Sequence, residues 1–299
     1  MQLAAIKRAE KQRKAGPGPR IGVAMGSGSA RGLTLVPYLE AIDELGIRPS
    51  VIAGSSIGAF IGAGWAGGMT GREIREHSIE VLGSMNALMG RLWGTQMTGL
   101  KNFFREGIPM QFDAERVIRA FSPAKFPASF EDLQVPLFVV ATDFRSWHQI
   151  VFHTGPLAEA VAGSIAIPSF FKPVQYGHRL LVDGGVVNPL PLDAVAPGSD
   201  FLIALDVNGD PSDHDPARLP TPLDVGFGAA QIMMHVLITN TIAAHPPDVY
   251  VRTPVRGFGA FEYWRIREML AASDADKDRF KRELAGKLDA FIGAREKTF

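Results

Sequence analysis

"VIAGSSIGAF", residues 51–60, runs from a β-branched approach through two adjacent serines into a string of small residues. A short apolar run that stops at a glycine reads as a buried strand. The segment after it, "IGAFIGAGWAGG" (57–68), reads as a helix that Gly67 and Gly68 end. Only one serine sits centrally in a G-x-S-x-G frame: Gly54 and Gly58 flank Ser56 symmetrically, whereas the same frame about Ser55 meets Ala53 and Ile57. A nucleophile on a sharp strand-to-helix turn has a strained backbone, and its neighbours two residues to either side must lack side chains for strand and helix to approach. The competing reading is packing alone, because Gly58, Gly62 and Ala66 recur every four residues and let one helix face lie close to a sheet.

The alternation extends outward from this stretch. "IGVAM" (21–25) is a short buried strand that stops at a glycine cluster, and a helical stretch follows to Leu45, ended by Gly46. Thr70 and Glu73 form a capping box for a helix through Leu82. Further buried strands are "LFVVAT" (137–142), "RLLVD" (179–183), "FLIALDV" (201–207) and "DVYVRT" (248–253). Strands alternating with helices predict an α/β fold, a three-layer α/β/α sandwich with a central mainly parallel sheet. There is no internal repeat, and "NGDPSDHDPARLPTP" (208–222) is the one long polar, proline-rich loop.

The 299 residues include 31 basic and 31 acidic side chains and no cysteine. The balanced charge argues against nucleic acid as a partner and against wholesale adsorption to anionic membranes. Without cysteine there is no disulfide framework and no Cys-based metal site, which fits a cytoplasmic, reducing compartment. Residues 1–20 carry Lys7, Arg8, Lys11, Arg13, Lys14 and Arg20 without the apolar run of a signal peptide. They read as a basic N-terminal tail, with Leu3 and Ile6 offering at most a weak interfacial helix, ahead of one domain over 21–299. No window reads as an apolar membrane span, so any membrane contact is expected to be peripheral.

Two further glycine-rich segments carry chemistry. "MGSGSARG" (25–32) follows the first strand but is not a dinucleotide fingerprint, since Arg31 stands where the third glycine belongs. Nor is it a phosphate loop, because no G-K-[ST] follows. It remains a Gly/Ser loop whose N–H groups converge on one small anionic spot, as an oxyanion hole requires. "LLVDGGVVNPLPLDAV" (180–195) puts Asp183 at a strand end, with Gly184 and Gly185 allowing a sharp turn around it. A carboxylate at the end of a strand sits where open α/β sheets gather their chemistry.

At these three segments the chain resembles the patatin-like phospholipase family, most of all its bacterial members. The motifs stand here as "GSGSARG", "GSSIG" and "DGG", and the flanking stretches "PLFVVATDF", "SIAIPSFFKPV" and "LVDGGVVNPLPL" are similar too. The likeness covers about residues 21–207, with a fainter match to the end. It implies a patatin-like hydrolase domain acting as a lipid acyl hydrolase of phospholipase A or esterase type. Its site would be a Ser-Asp dyad without histidine: Ser56 as nucleophile, Asp183 as base, N–H groups of Gly26, Ser27, Gly28 and Ser29 as oxyanion hole, and Arg31 and Gly32 supporting the loop. The implied partner is a lipid or fatty-acyl ester; no cofactor or metal is implied. One departure is clear: many bacterial members have histidine and then glycine shortly after the loop, where this chain has Leu35 and Pro37. Pro37 either starts the helix late or kinks it.

An aspartate of ordinary pKa is a weak base at neutral pH, so a dyad requires Asp183 to be partly desolvated while still bonding Ser56. Two alternatives stand beside it: a Ser-Asp-His esterase using His214, His235 or His245, and an inactive scaffold that kept the fold for binding. The stripe Met85, Leu88, Met89, Leu92, Trp93, continued by Met97, Leu100, Phe103 and Phe104, is either core or a wall for a fatty-acyl chain. "DADKD" (274–278) imitates a calcium loop, but Arg279 holds the required glycine position; it reads as the start of an amphipathic helix.

Overall fold

The computed structural model describes residues 18–93, 111–209 and 222–296. Most of the basic tail, His214, and Met97 to Phe104 lie outside the described residues. Arg20, counted in the tail by sequence, belongs to the fold: its guanidinium donates to Asp200 at 2.8 and 3.0 Å.

One sheet of eight strands organises the chain: β1 (Ile21–Met25), β2 (Val51–Ser55), β3 (Leu137–Asp143), β4 (His148–Phe152), β5 (Val174–Tyr176), β6 (Arg179–Asp183), β7 (Phe201–Asp206) and β8 (Val249–Arg252). Its order is β5-β6-β3-β2-β1-β7-β8, with β4 added on β3. From β8 to β3 neighbours are parallel, as the alternation predicts, while β4, β5 and β6 are joined antiparallel. Sequence reading missed β4 and β5 as strands; β5 is only three residues long, and β4 buries only its last residue.

Side-chain alternation along the strands builds two unequal layers. Val23, Met25, Ile52, Phe201, Ile203 and Leu205 enter the larger core, while Ala24, Val51, Ala53 and Ala204 face a smaller one. Around the larger core lie α1 (Val36–Glu44), α2 (Ile57–Ala66), α3 (Gly71–Leu82), α4 (Met85–Trp93), α5 (Ala114–Phe121) and α6 (Leu157–Ser164). The other face is covered by the short α7 (Leu192–Val195) and by α8 (Pro222–Ala244), and α9 (Ile266–Glu296) packs back on the first layer. The three-layer α/β/α sandwich is therefore present. Pro37 starts α1 late: a 3-10 turn over Ser29–Leu35 precedes it, and the proline occupies the first helical turn. The capping box at Thr70 and Glu73 forms as expected.

Two expectations change. "DADKD" is not a helix start but lies inside α9, because it docks the helix: Asp274 pairs with Arg75, Asp276 accepts from the Tyr38 hydroxyl, and Lys277 pairs with the buried Glu40. And α8 contains a stretch, Val225–Ala244, that by length and composition alone is long and apolar enough to cross a membrane, with only 6% of its window buried. Its polar residues, Gln231, His235, Thr239, Asn240 and Thr241, interrupt the apolar run, yet none of them is Asp, Glu, Lys or Arg. Val225, Ile232, Met233 and Val236 form an exposed stripe that runs from its N-terminal half to just past its middle. In α4, Leu88 is core while Met85 and Met89 are exposed, so the methionine stripe is divided between the two readings.

The register of β3 places the two candidate catalytic residues. Val139 and Val140 pair with β2 on one side and β4 on the other, and Ala141 to Asp143 pair with β4 and β6. Hence β2 and β6 share one edge of β3. Running in opposite directions, they end head to head: Ser55 lies opposite Val140 and Asp183 opposite Ala141. The chain leaves this junction through Gly184, where an added Cβ would collide with the Val140 carbonyl oxygen and the Ser55 Oγ. Gly184→Ala is expected to lower unfolding free energy by about 1–3 kcal/mol through overpacking, measurable as a reduced urea midpoint; an unchanged midpoint would contradict this account of the junction.

Candidate active site

Ser56 is the first residue past β2 and the N-cap of α2. Its backbone sits at φ 55°, ψ −124°, a left-handed value that a non-glycine residue holds only where its surroundings enforce it. The enforcement is visible. Its N–H donates to Ser164 Oγ at 2.8 Å, and Ser164 donates in turn to the Val140 carbonyl at 2.6 Å. On the helix side, a side chain at Gly58 would strike the Met25 and Gly26 carbonyl oxygens, and Gly54 packs against the backbone of Gly58 and Ala59. Both glycines thus allow close approach around the turn, and α2 directs its positive end at Ser56. Ser55, by contrast, ends β2 with its hydroxyl buried and unpartnered.

Ser56 Oγ donates to Asp183 Oδ2 at 2.5 Å, and both residues are buried. The other carboxylate oxygen accepts from the Gly185 N–H at 2.7 Å and from Ser27 Oγ at 3.4 Å. Thr142 Oγ1 holds the Asp183 carbonyl at 2.8 Å, and the Asp183 N–H donates to the Ala166 carbonyl at 3.0 Å. Burial drives the Asp183 pKa up to about 6, against the opposing pull of the hydrogen bonds from Ser56, Gly185 and Ser27. Among the described residues, no histidine bonds either partner; His235 lies on α8 and His245 just beyond it.

The glycine loop is more selective than its sequence implies. The Gly26 N–H donates to the Leu205 carbonyl at 2.9 Å, extending the β1–β7 ladder, and the Ser27 N–H donates to the Pro189 carbonyl at 2.8 Å. These two groups are engaged within the fold and are withdrawn as oxyanion donors. The Gly28 and Ser29 N–H groups have no acceptor among the described residues, and Ser29 holds a positive φ of 53°. Gly32 lies against Ile57, the residue after the serine, and Gly185 against Ser27.

What braces the loop comes from a part of the chain where sequence reading found no motif. Arg31 donates through Nε to the Phe258 carbonyl at 2.8 Å and through Nη1 to the Asn208 carbonyl at 3.2 Å. The Ala30 N–H donates to the Ala260 carbonyl at 2.9 Å, and Ser29 Oγ shares a hydrogen bond of 2.9 Å with the Tyr263 hydroxyl. Burial raises the Tyr263 pKa, and the Asp183 charge raises it further, so the hydroxyl stays protonated beside the site. Phe258 and Tyr263 carry no local sequence signal, and Ser164, though it opens the family-like stretch "SIAIPSFFKPV", shows no role there; the three act through contacts 108, 227 and 234 positions apart in the chain.

The family model for patatin-like phospholipases matches residues 23–196. An NTE family protein of Mycobacterium tuberculosis is 32% identical over 219 residues, covering 68% of this chain and 53% of that protein. Patatin-like phospholipase domain-containing protein 7 of Rattus norvegicus is 31% identical over 197 residues, 64% of this chain and 14% of its own length. The crystal structure of VipD from Legionella pneumophila aligns with a TM-score of 0.45 at 13% identity, over 89% of this chain and 67% of that one. The chain thus spans about half the length of the mycobacterial relative and a smaller part of the rat protein. Glycine loop, elbow serine and aspartate all fall within the matched stretch and meet in space, and the chain belongs to the patatin-like phospholipase family.

Proposed function

We propose that the chain hydrolyses carboxylic esters of lipids through an acyl-Ser56 intermediate, with Asp183 as the general base. The observation that carries this reading is the buried 2.5 Å hydrogen bond from Ser56 Oγ to a carboxylate whose pKa burial has raised to about 6. At that value the carboxylate is ionised at neutral pH yet basic enough to take a proton as the hydroxyl attacks. Asp183 accepts the Ser56 proton while Oγ bonds to the ester carbon, and the carbonyl oxygen becomes an oxyanion. The Gly28 and Ser29 N–H groups are the donors left to receive it, each contributing about 2.7–4 kcal/mol in sites of this kind. Collapse expels the leaving alcohol with the proton from Asp183. Water, deprotonated by the same carboxylate, then cleaves the acyl-Ser56 ester and releases the fatty acid.

The local geometry supports a dyad over a Ser-Asp-His arrangement, because the serine reaches the carboxylate directly. It also supports activity over a scaffold role: two strained serines and a carboxylate held in the interior are costly features for a protein that only binds.

Ser56→Ala is expected to lower turnover of a fatty-acyl ester by about a thousandfold or more and to abolish fluorophosphonate labelling at that residue. Replacement of His235 or His245 by alanine should leave turnover within a fewfold; a loss of several orders of magnitude at either would overturn the dyad. Tyr263→Phe, which frees Ser29 Oγ, is expected to reduce kcat about tenfold with little change in KM, because donor geometry acts on the oxyanion.

The pH dependence has a definite sign. The kcat/KM profile should show an acid limb at about pH 6, falling about tenfold per pH unit below it as Asp183 is protonated. Stability runs the other way. Below the ordinary aspartate pKa of 3.8 both states are protonated; between 3.8 and about 6 the unfolded chain ionises first, so stability falls as pH rises. Above that window the native state carries a penalty of the order of 3 kcal/mol. Asp183→Asn should therefore abolish turnover and raise the urea midpoint at about pH 8 but not near pH 3; a lowered midpoint at the higher pH would contradict the burial account.

A further inference from the structure

The end of the sheet that holds the site also carries exposed apolar side chains that the chemistry does not use. The β3–β4 hairpin projects beyond it. Asp183 lies level with Ala141, so the hairpin tip, residues 144–147, stands roughly 10 Å further out. On that tip Trp147 is 83% exposed and Phe144 58%, and Trp147 holds a positive φ of 61°. The positive φ belongs to the turn, which the Trp147 N–H closes on the Asp143 carbonyl at 2.8 Å; the exposure of two large aromatic side chains is what the packing leaves unexplained.

The tip is also basic. Arg145 is exposed and donates to the His178 carbonyl, which ties it to the neighbouring β5–β6 turn, and Arg179 follows on β6. At the base of the tip Asp143 is buried; its carboxylate accepts from Ser146, Arg145 and Leu180, and these bonds together with the nearby Arg179 charge hold its pKa low. The same sheet end receives the N-terminal half of α8. Gln231 exchanges hydrogen bonds with Asn208, two residues beyond β7, and Phe227 packs on Phe170 and Phe261. Next to these contacts Ile232 is 67% exposed and Met233 62%, and past Val236 the large exposed apolar side chains give way to Thr239, Asn240, Ala243 and Ala244. The apolar part of α8 is therefore the part beside the site.

The geometry points to the carboxyl end of the sheet as a docking face for an anionic lipid surface, with the hairpin tip and the first half of α8 as its two apolar points. Aromatic side chains suit the headgroup boundary, and Arg145 and Arg179 complement anionic headgroups. The uncharged stripe of α8 fits the hydrocarbon margin below them. The choice of a lipid surface over a second copy of the chain rests on that charge complementarity and on the lipid-ester reading of the site. Docking in this orientation would bring the ester bond to Ser56 without the substrate first crossing water.

The test separates docking from chemistry by using the Ser56→Ala chain, which binds without turnover. Co-sedimentation with vesicles of phosphatidylcholine alone, and of phosphatidylcholine with phosphatidylglycerol, is expected to show salt-sensitive binding to the second kind, with a blue shift of tryptophan fluorescence that Trp147→Phe diminishes. Phe144→Ala with Trp147→Ala, and separately Ile232→Ser with Met233→Ser, should each weaken partitioning by about tenfold or more. Arg145→Gln with Arg179→Gln should remove most of the preference for phosphatidylglycerol. In the Ser56-bearing chain the same surface changes should leave turnover of a short soluble ester and the thermal midpoint unaltered. Absence of vesicle binding at low salt, or equal binding by all variants, would overturn the docking face even if soluble ester turnover is intact. A concentration-dependent dimer that Ile232→Ser with Met233→Ser dissociates, without vesicle binding, would assign the face to a second copy and overturn it as well.

Discussion

A carboxylate and a serine hydroxyl share a hydrogen bond at the point where two strands run into each other, and most of the architecture follows from keeping that junction closed. Because β2 and β6 approach along one edge of β3 from opposite directions, neither can continue. Each must turn out of the sheet within one or two residues, and those turns hold Ser56 and Gly184. The antiparallel margin of β4, β5 and β6 exists on this account to bring an aspartate down from above onto a serine arriving from below. Burying the carboxylate without a cation is unfavourable, and the site offsets this with hydrogen bonds alone: Ser56, the Gly185 N–H and, at longer range, Ser27. The same burial makes the group basic, so the property that costs native stability is the one the proposed chemistry would use.

How much of this was legible in the sequence depended on whether the cause was local. The elbow could be read because its requirement, no side chain at Gly54 and Gly58, acts within a few residues of Ser56. The parallel strands could be read because burial on both faces leaves short apolar runs with abrupt ends. The capping box at Thr70 is local as well. In contrast, whether a loop N–H is free depends on carbonyls brought from far along the chain: Leu205 and Pro189 engage Gly26 and Ser27, and no feature of "GSGSARG" reveals that. The oxyanion reading therefore narrowed from four residues to two only when the fold was known.

The same distinction explains the other revisions. Acidic residues near the start of an amphipathic pattern look like the beginning of a helix. In α9 Asp274 and Asp276 are instead mid-helix anchors to Arg75 and Tyr38, selected by the surface they dock against. The apolar stretch of α8 was overlooked because interruptions by glutamine, histidine and threonine hide a run that is defined by the absence of charge rather than by continuous hydrophobicity. Its exposure is a property of the thinner helical layer, where among the described residues α7 and α8 cover the alanine-rich face of the sheet.

The fastening of the glycine loop has one more implication. Everything that identifies the site by motif has been synthesised once the ribosome passes residue 185, yet three of the loop's restraints come from Phe258, Ala260 and Tyr263. A nascent chain that already displays serine and aspartate still lacks the segment that holds Ser29 in its strained conformation. The proposed oxyanion pocket is thus complete only once residue 263 has been added, and a chain stopped between residues 185 and 258 would retain every motif without the restraints that hold the loop.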